Sequence, residues 1–272
     1  MILSSPTLCI SLFFRLAILC VRLYNNRGRK QQGGQVMYEM TREVYCSNIG
    51  CNGCVRNSSL VDLLQDCSLR HLETDPVLSP FFERENCLMF LTSRQLDIIR
   101  MPEYSEKLTI RTWCYELNRA YGLRNTVIYG EDGLPCVKCN TGGAFVNLET
   151  QRPVKITAEL ADAVDKSPKL DMEYMPRKIR IPDREADITE NVAVLKCFID
   201  MNGHVNNARY LDIADEYLED DAKVGRIRIE YKVPLKRGDD VVAKVYHEEN
   251  HLLVSLEDIH NRAYCICEYT LV

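Results

Sequence analysis

The chain carries one short pattern twice, 150 residues apart. Between residues 51–67 and 201–217, five of seventeen aligned positions are identical, where about one is expected by chance. The identical pairs are Asn52 and Asn202, Gly53 and Gly203, Val55 and Val205, Asn57 and Asn207, and Asp62 and Asp212. Such a spacing in a chain of 272 residues predicts two halves with the same fold.

Each copy continues with apolar residues at the spacing of one helical face. They are Leu60, Val61, Leu64 and Cys67 in the first copy, and Tyr210, Leu211, Ala214 and Tyr217 in the second. Asn57 and Asn207 precede these stripes, and asparagine is a favoured residue at helix N-caps. Each copy therefore predicts a polar turn capped by asparagine and followed by an amphipathic helix.

Strand-like runs follow each predicted helix. Residues 226–235 alternate between apolar and charged side chains, and residues 239–250, 251–259 and 262–272 are three further runs of this kind. Residues 107–118, 121–133 and 134–149 follow the first helix, with Asp132-Gly133 as a hairpin signal. We expect an α+β fold in which each half is an antiparallel sheet wrapped around a central helix.

The region between the halves differs in composition from both. Residues 157–165 have a short helical pattern, and the rest of the region is charged and interrupted by prolines. We therefore predict a first domain over 37–160, a linker over 161–189 that crosses the surface, and a second domain over 190–272.

Residues 1–36 form an N-terminal extension of uncertain role. Residues 7–24 are apolar, but Arg15 and Arg22 interrupt them and no basic residue precedes them. This segment is too short and too charged for a confident spanning helix. We interpret it as an extension with no role in the fold, translation beginning at Met37, with a membrane anchor or targeting segment as the alternative. We do not expect membrane contact.

The charge and the cysteines limit the partner and the compartment. The net charge of -5 argues against a general nucleic-acid binder. Thirteen cysteines form an odd count in a large chain, which favours reduced thiols and a cytoplasmic protein over a disulfide framework. A homodimer is one possible assembly.

The second copy of the repeat carries a histidine in an unusual setting, because residues 200–210 read DMNGHVNNARY. Histidine alone before a helix is most often a satisfied structural residue. This segment, however, resembles the acyl-acyl-carrier-protein (acyl-ACP) thioesterases of plants and bacteria, which carry an Asp-x-Asn-x-His-Val-Asn-Asn-x-x-Tyr motif. The resemblance covers about residues 37–272 and includes RTWCYELNRAYGLRN and GGAFVNLETQRPVKI in the first half.

The resemblance implies a tandem double hotdog fold and hydrolysis of acyl-ACP to free fatty acid and carrier protein. No cofactor or metal is expected, and the implied partner is a carrier protein with a phosphopantetheine-linked acyl chain. The implied catalytic residues are Asp200, Asn202 and His204.

The chemistry of these residue types agrees with that role. Histidine titrates near neutral pH and suits the general base that activates water. Asn202 can hold the water or the imidazole, and Asp200 can orient either neighbour. The helix predicted to start at Asn206 and Asn207 would direct free N–H groups at a developing oxyanion.

Two departures from the family pattern affect the prediction. Cys54 stands where the second copy has His204, so we expect the first half to be a degenerate site that shapes the substrate tunnel. The acidic residue that related plant enzymes carry after the following strand is replaced by Pro234 or Leu235. Glu230 lies nearby, but strand alternation places it on a solvated face.

Basic residues predict where the carrier protein could dock. Arg124, Arg177, Lys178 and Arg180, with Arg119, could receive an acidic partner, although such patches are as often plain solvated surface. The pairs Cys51-x-x-Cys54 and Cys136-x-x-Cys139 are too far apart in sequence to predict a zinc site.

Two other functions stay open from the sequence. One is a non-catalytic acyl-thioester-binding hotdog protein, which would not require His204. The other is a hotdog acyl-CoA thioesterase or hydratase, although hydratases resemble Asp-x-Asn-x-x-His, one residue longer than the spacing here.

Overall fold

The computed structural model describes the backbone of residues 29–32 and 35–272. The strands are β1 (Arg29–Gln32), β2 (Gln35–Glu43), β3 (Cys87–Ile98), β4 (Lys107–Leu117), β5 (Tyr121–Tyr129), β6 (Pro135–Asn147), β7 (Ile188–Asn191), β8 (Val224–Tyr231), β9 (Val242–Glu248), β10 (His251–Glu257) and β11 (Ala263–Leu271). The α-helices are α1 (Asn57–Thr74), α2 (Leu78–Glu85), α3 (Ala158–Ala163) and α4 (Arg209–Ala214). Short 3-10 helices cover Cys46–Asn48, Lys196–Phe198 and Asp215–Tyr217.

All the strands form one antiparallel sheet with a nearly symmetric order. The order is β1-β2-β4-β5-β6-β3-β8-β11-β10-β9-β7. After β1 at one edge, the first half reads β2-β4-β5-β6-β3, and the second half repeats this sequence of strands in reverse. The two halves join where β3 pairs with β8, from Ser93 opposite Glu230 to Asp97 opposite Arg226. The predicted α+β arrangement of two similar halves is confirmed.

The repeat seen in the sequence is also a repeat of backbone geometry. Each copy has a 3-10 helix, a bridge and a closed turn at matching positions. Ile49 is bridged to Val55 in the first copy, and Ile199 to Val205 in the second. The Gly50 N–H donates to Cys54 O, and the Asp200 N–H donates to His204 O, at 2.8 Å each. Gly53 and Gly203 have φ values of 77° and 78°. A positive φ explains the glycine of both copies, because other residues adopt this region with difficulty.

The two central helices differ in length. The predicted stripe of α1 is confirmed, since Leu60, Val61, Leu64 and Cys67 are all at most 1% exposed. In the second half the α-helix has only six residues and continues as a 3-10 turn.

The two predicted N-caps are wrong. Arg56 occupies the N-cap of α1, and Asn57 is already helical. Ala208 occupies the N-cap of α4. Oδ1 of Asn206 accepts a hydrogen bond from Ala208 N at 2.9 Å, which turns the chain locally and delays the helix.

Part of the N-terminal extension contributes to the sheet. Residues 29–32 form β1, which pairs with β2, so the expectation that the extension has no role in the fold is wrong. The apolar segment 7–24 lies outside the described residues. Within the described part of the chain, no helix combines the length and hydropathy needed to cross a membrane.

The region between the domains crosses the outer face of the sheet as a strap, which we define as residues 167–179. Side chains of the sheet form hydrogen bonds with the backbone of the strap. Trp113 donates to Pro168 O at 2.8 Å, Asn125 accepts from Leu170 N at 3.0 Å, Gln95 accepts from Met175 N at 2.9 Å, Arg228 donates to Pro176 O at 2.6 Å, and Glu230 accepts from Ile179 N at 3.0 Å.

The strap changes the environment of Glu230. The alternation of side chains along β8 correctly predicted which face of the sheet carries Glu230. That face, however, is covered by the strap and is not open to solvent. Glu230 is only 5% exposed. The prediction of a solvated Glu230 is therefore wrong, because a buried carboxylate here satisfies a backbone amide.

Candidate active site

The turn from Asp200 to His204 lies between the 3-10 helix Lys196–Phe198 and α4. Asp200 N–H donates to His204 O, and Gly203 N–H donates to Asp200 O at 3.1 Å. Val205 N–H donates to Leu235 O at 2.8 Å, which fastens the turn to the chain that follows β8. Both ends of the turn are thus held by backbone hydrogen bonds.

The carboxylate of Asp200 organises the turn from inside. Its Oδ1 accepts from Asn202 N at 2.8 Å and from His204 N at 3.3 Å. Its Oδ2 accepts from Asn202 Nδ2 at 3.4 Å. The three predicted catalytic residues are therefore together, and Asp200 positions Asn202 and the His204 backbone. Among the described residues, none forms a hydrogen bond with the His204 ring.

The His204 imidazole is half-buried and suited to accept a proton. Burial lowers its pKa below the ordinary value of 6.5, and Lys236 acts in the same direction. The charges of Asp200 and Asp239 oppose the shift. The ring is consequently neutral at pH 7, which is the form that a general base requires.

The positions that lack the family's acidic residue contribute backbone contacts. Pro234 is exposed, Leu235 is buried, and Leu235 N–H donates to the Tyr210 hydroxyl at 3.1 Å. Asp239 lies further along the same loop, and its Oδ2 accepts from Lys236 N at 2.9 Å. The sequence did not predict that Asp239 and Lys236 act on His204. They belong to no motif, and only the folding of the loop after β8 brings them near the histidine.

The two asparagines that precede α4 make different hydrogen bonds. Asn206 accepts from Ala208 N with its side chain and from Arg209 N with its carbonyl at 2.9 Å. Asn207 donates its side-chain amide to Gln65 Oε1 at 3.0 Å. Within the described part of the chain, the Asn207 N–H has no hydrogen-bond acceptor, whereas the Asn206 N–H donates to Phe198 O at 2.9 Å.

The predicted docking residues divide into two groups. Arg177, Lys178 and Arg180 are exposed on and beside the strap. Arg124 is only 3% exposed, and its Nη1 contacts His71 Nδ1 and Thr112 Oγ1 at 3.0 Å each. The assignment of Arg124 to carrier-protein docking is therefore wrong, because β5 directs this side chain at α1 and not at solvent.

The corresponding turn of the first half lacks the acid and the base. Gly50 and Cys54 stand where the second half has Asp200 and His204, and Cys54 is exposed. Cys51 is also exposed in this turn, whereas Cys136 and Cys139 are buried on β6. Among the described residues, no three histidine, cysteine or acidic side chains come together as a metal site.

Two family models match the chain and together span most of it. Residues 35–164 match the acyl-ACP thioesterase N-terminal domain, and residues 182–270 match the acyl-ACP thioesterase C-terminal domain. The second match contains Asp200, Asn202 and His204.

Curated relatives are similar at low identity. The chain is 22% identical over 238 residues to oleoyl-acyl carrier protein thioesterase 2, chloroplastic, of Arabidopsis thaliana, covering 76% of this chain and 62% of the relative. It is 22% identical over 227 residues to acyl-[acyl-carrier-protein] hydrolase FATB3, chloroplastic, of Cuphea viscosissima, covering 77% and 54%. The chain thus spans about half to three fifths of the length of these relatives.

Solved structures share the fold. An acyl-ACP thioesterase from Bacteroides thetaiotaomicron superposes with a TM-score of 0.76 at 18% identity, over 87% of this chain and 98% of that one. The 12:0-ACP thioesterase from Umbellularia californica superposes with a TM-score of 0.73 at 14% identity, over 87% and 97%. The predicted tandem double hotdog is confirmed, and the matches to both domain models show that this chain belongs to the acyl-ACP thioesterase family.

Proposed function

We propose that the protein hydrolyses acyl-ACP to a free fatty acid and the carrier protein in fatty acid biosynthesis. The observation that carries this proposal is the turn that joins Asp200, Asn202 and a neutral, half-buried His204 in a chain of this family. A module that only bound acyl thioesters would have no need of such a base.

In the proposed mechanism His204 takes a proton from a water molecule as the water oxygen attacks the thioester carbonyl carbon. Asn202, held by Asp200, orients the water or the ring. The N–H of Asn207 stabilises the oxyanion of the tetrahedral intermediate. When the carbon–sulfur bond breaks, protonated His204 returns its proton to the pantetheine thiolate.

Carrier-protein docking is assigned to Arg177, Lys178 and Arg180. All three are exposed, and Arg177 lines an open groove of about 550 Å³ between the strap and the outer face of the sheet. Acidic partners associate with such surfaces through long-range attraction that salt weakens. Replacing the three residues by glutamate should raise the KM for acyl-ACP and leave kcat unchanged.

We further propose a reducing, cytoplasmic environment, and a homodimer as the assembly. The eleven cysteines in the described part of the chain are all free thiols, and seven of them are buried. Burial raises the pKa of the Cys67 thiol to about 12 and that of Cys87 to about 11, which keeps both protonated and unreactive.

Product analysis tests the proposed function. Purified protein is incubated with acyl-ACP substrates of graded chain length, with and without a chelator, and the free fatty acids are quantified. Release of fatty acid that requires His204 and survives chelation supports the proposal. No release from any acyl-ACP by the folded protein would contradict it.

A further inference from the structure

Two buried arginines face the interior of the first half in one cross-strand row. On β6, Thr141 pairs with Arg94 of β3 on one side and with Arg124 of β5 on the other. Directly opposite residues of antiparallel strands point to the same face. Arg124 contacts His71 of α1, so the row points toward α1, and Arg94 also borders the groove beneath the strap.

No described residue forms an ion pair with Arg94. It is 2% exposed, and its buried Nε and Nη1 make no hydrogen bond with any described residue. A guanidinium cannot lose its proton, so burial cannot neutralise it. An unpaired buried charge is strongly unfavourable, and arginine's planar donors match a carboxylate in two parallel hydrogen bonds.

The rest of the row is polar as well. Thr141 is 3% exposed, and Arg124 donates to the hydroxyl of Thr112. Strands of one sheet are about 4.8 Å apart, which places the two arginine backbones about 10 Å from each other. Asp75 acts on Arg124 through space. The row therefore places two guanidinium groups and a hydroxyl on one buried surface. A site that bound only an unsubstituted hydrocarbon chain would not need these polar groups.

The row extends toward the candidate active site without being part of it. The charge of Arg94 acts on Tyr231, whose hydroxyl donates to Asn207 O at 3.2 Å. The charged groups that act on His204 are Asp200, Lys236 and Asp239, and Arg94 is not among them. A ligand anion at Arg94 is thus distinct from the carboxylate that hydrolysis creates at His204.

We propose that Arg94, with Thr141 and Arg124 beside it, binds a carboxylate at the far end of the acyl chain. The substrate class then includes acyl thioesters that carry a second carboxylate. This proposal rests on the proposed thioesterase function for the origin of the ligand, but the binding itself needs no hydrolysis.

Binding of free acids tests the site. Isothermal titration calorimetry at neutral pH compares linear α,ω-dicarboxylic acids of graded length with their matched monocarboxylic acids on the full chain. We expect at least one dicarboxylic acid to bind about 10-fold more tightly than its monocarboxylic match. Arg94→Met should abolish this preference, and the exposed Arg152→Met should keep it. The same preference in His204→Ala separates this site from the proposed catalysis.

The melting temperature gives a second readout. Without ligand, Arg94→Met should melt higher than the wild type, because it removes an unpaired buried charge. Should that variant not fold, Arg94→Lys keeps the charge, loses the planar fork and should lower the preference. Equal affinity for the two acid classes, a preference retained in Arg94→Met, or a lower melting temperature of ligand-free Arg94→Met would each overturn the proposal.

Discussion

Asn207 donates its side-chain amide to Gln65 across the two halves at 3.0 Å, and Asn57 donates to Asp215 Oδ1 at 3.3 Å. The same shift of 150 residues relates Asn57 to Asn207 and Gln65 to Asp215. Each helix start is thus held by the central helix, or its continuation, of the other half. The candidate active turn of the second half consequently depends on a residue of the first half.

Gln65→Leu tests this dependence. It removes the acceptor of the Asn207 amide, so we expect about 1 kcal/mol less unfolding free energy and a lower kcat because the start of α4 shifts. A double-mutant cycle with Asn207→Ala, followed by denaturant unfolding, measures the coupling. Strictly additive effects would show that the contact carries no energy.

Asp215 should make stability depend on pH. Burial raises its pKa to about 6, although Tyr269 and Asn57 donate to it. The folded-state pKa lies above the unfolded value, so stability is highest at low pH and is lost as pH rises through about 6. Relative to wild type, Asp215→Asn should gain about 1–3 kcal/mol at pH 8 and nothing at pH 4. A gain independent of pH would contradict this assignment.

The pH–rate profile should report His204. Because its pKa is lowered, kcat/KM should stay high to a lower pH than an ordinary histidine allows, with an acid limb below about 6.5. Asp200→Asn removes a charge that raises this pKa and should shift the limb down. Lys236→Met removes a charge that lowers it and should shift the limb up. Shifts in the same direction for both variants would be inconsistent with the assignment.

The strap should detach when its central anchor is removed. Asn125 Oδ1 accepts from Leu170 N and from the Tyr174 hydroxyl, each at 3.0 Å. Asn125→Leu leaves the Leu170 N–H without its acceptor, whereas the Tyr174 hydroxyl keeps Leu170 O at 2.9 Å, and we expect a loss of about 1–3 kcal/mol. Trp113, the single tryptophan, donates to Pro168 O in the strap, so its fluorescence should shift to the red. The exposed Asn250→Leu should change neither quantity.

The sequence predicted the parts of the fold that a local pattern can encode. The turn repeat, the stripe of α1, the strands after each helix and the Asp132-Gly133 hairpin were all found. It did not predict β3, whose polar residues bond the strap on one face and include buried Arg94 on the other. β3 joins the two halves by pairing with β8, which lies more than 120 residues away in the sequence. No local periodicity of the sequence predicts such a long-range pairing.

The candidate site was predicted where the motif is contiguous. Asp200, Asn202 and His204 lie together as expected. Gln65 and Asp239 were missed because tertiary contacts bring them to the turn, although the repeat could have pointed to Gln65 as the counterpart of Asp215. Arg124 was misassigned because sequence alone does not show that its strand directs it at α1.

Turnover by His204→Ala and Cys54→Ala tests the central claim most directly. With His204 as the general base, kcat of His204→Ala should fall by about 10²- to 10⁴-fold with KM little changed. Cys54→Ala, at the matching position of the first half, should keep kcat within a few fold, and both variants should melt near the wild type. Near-normal turnover in a folded His204→Ala variant, or a comparable loss in Cys54→Ala, would contradict the account.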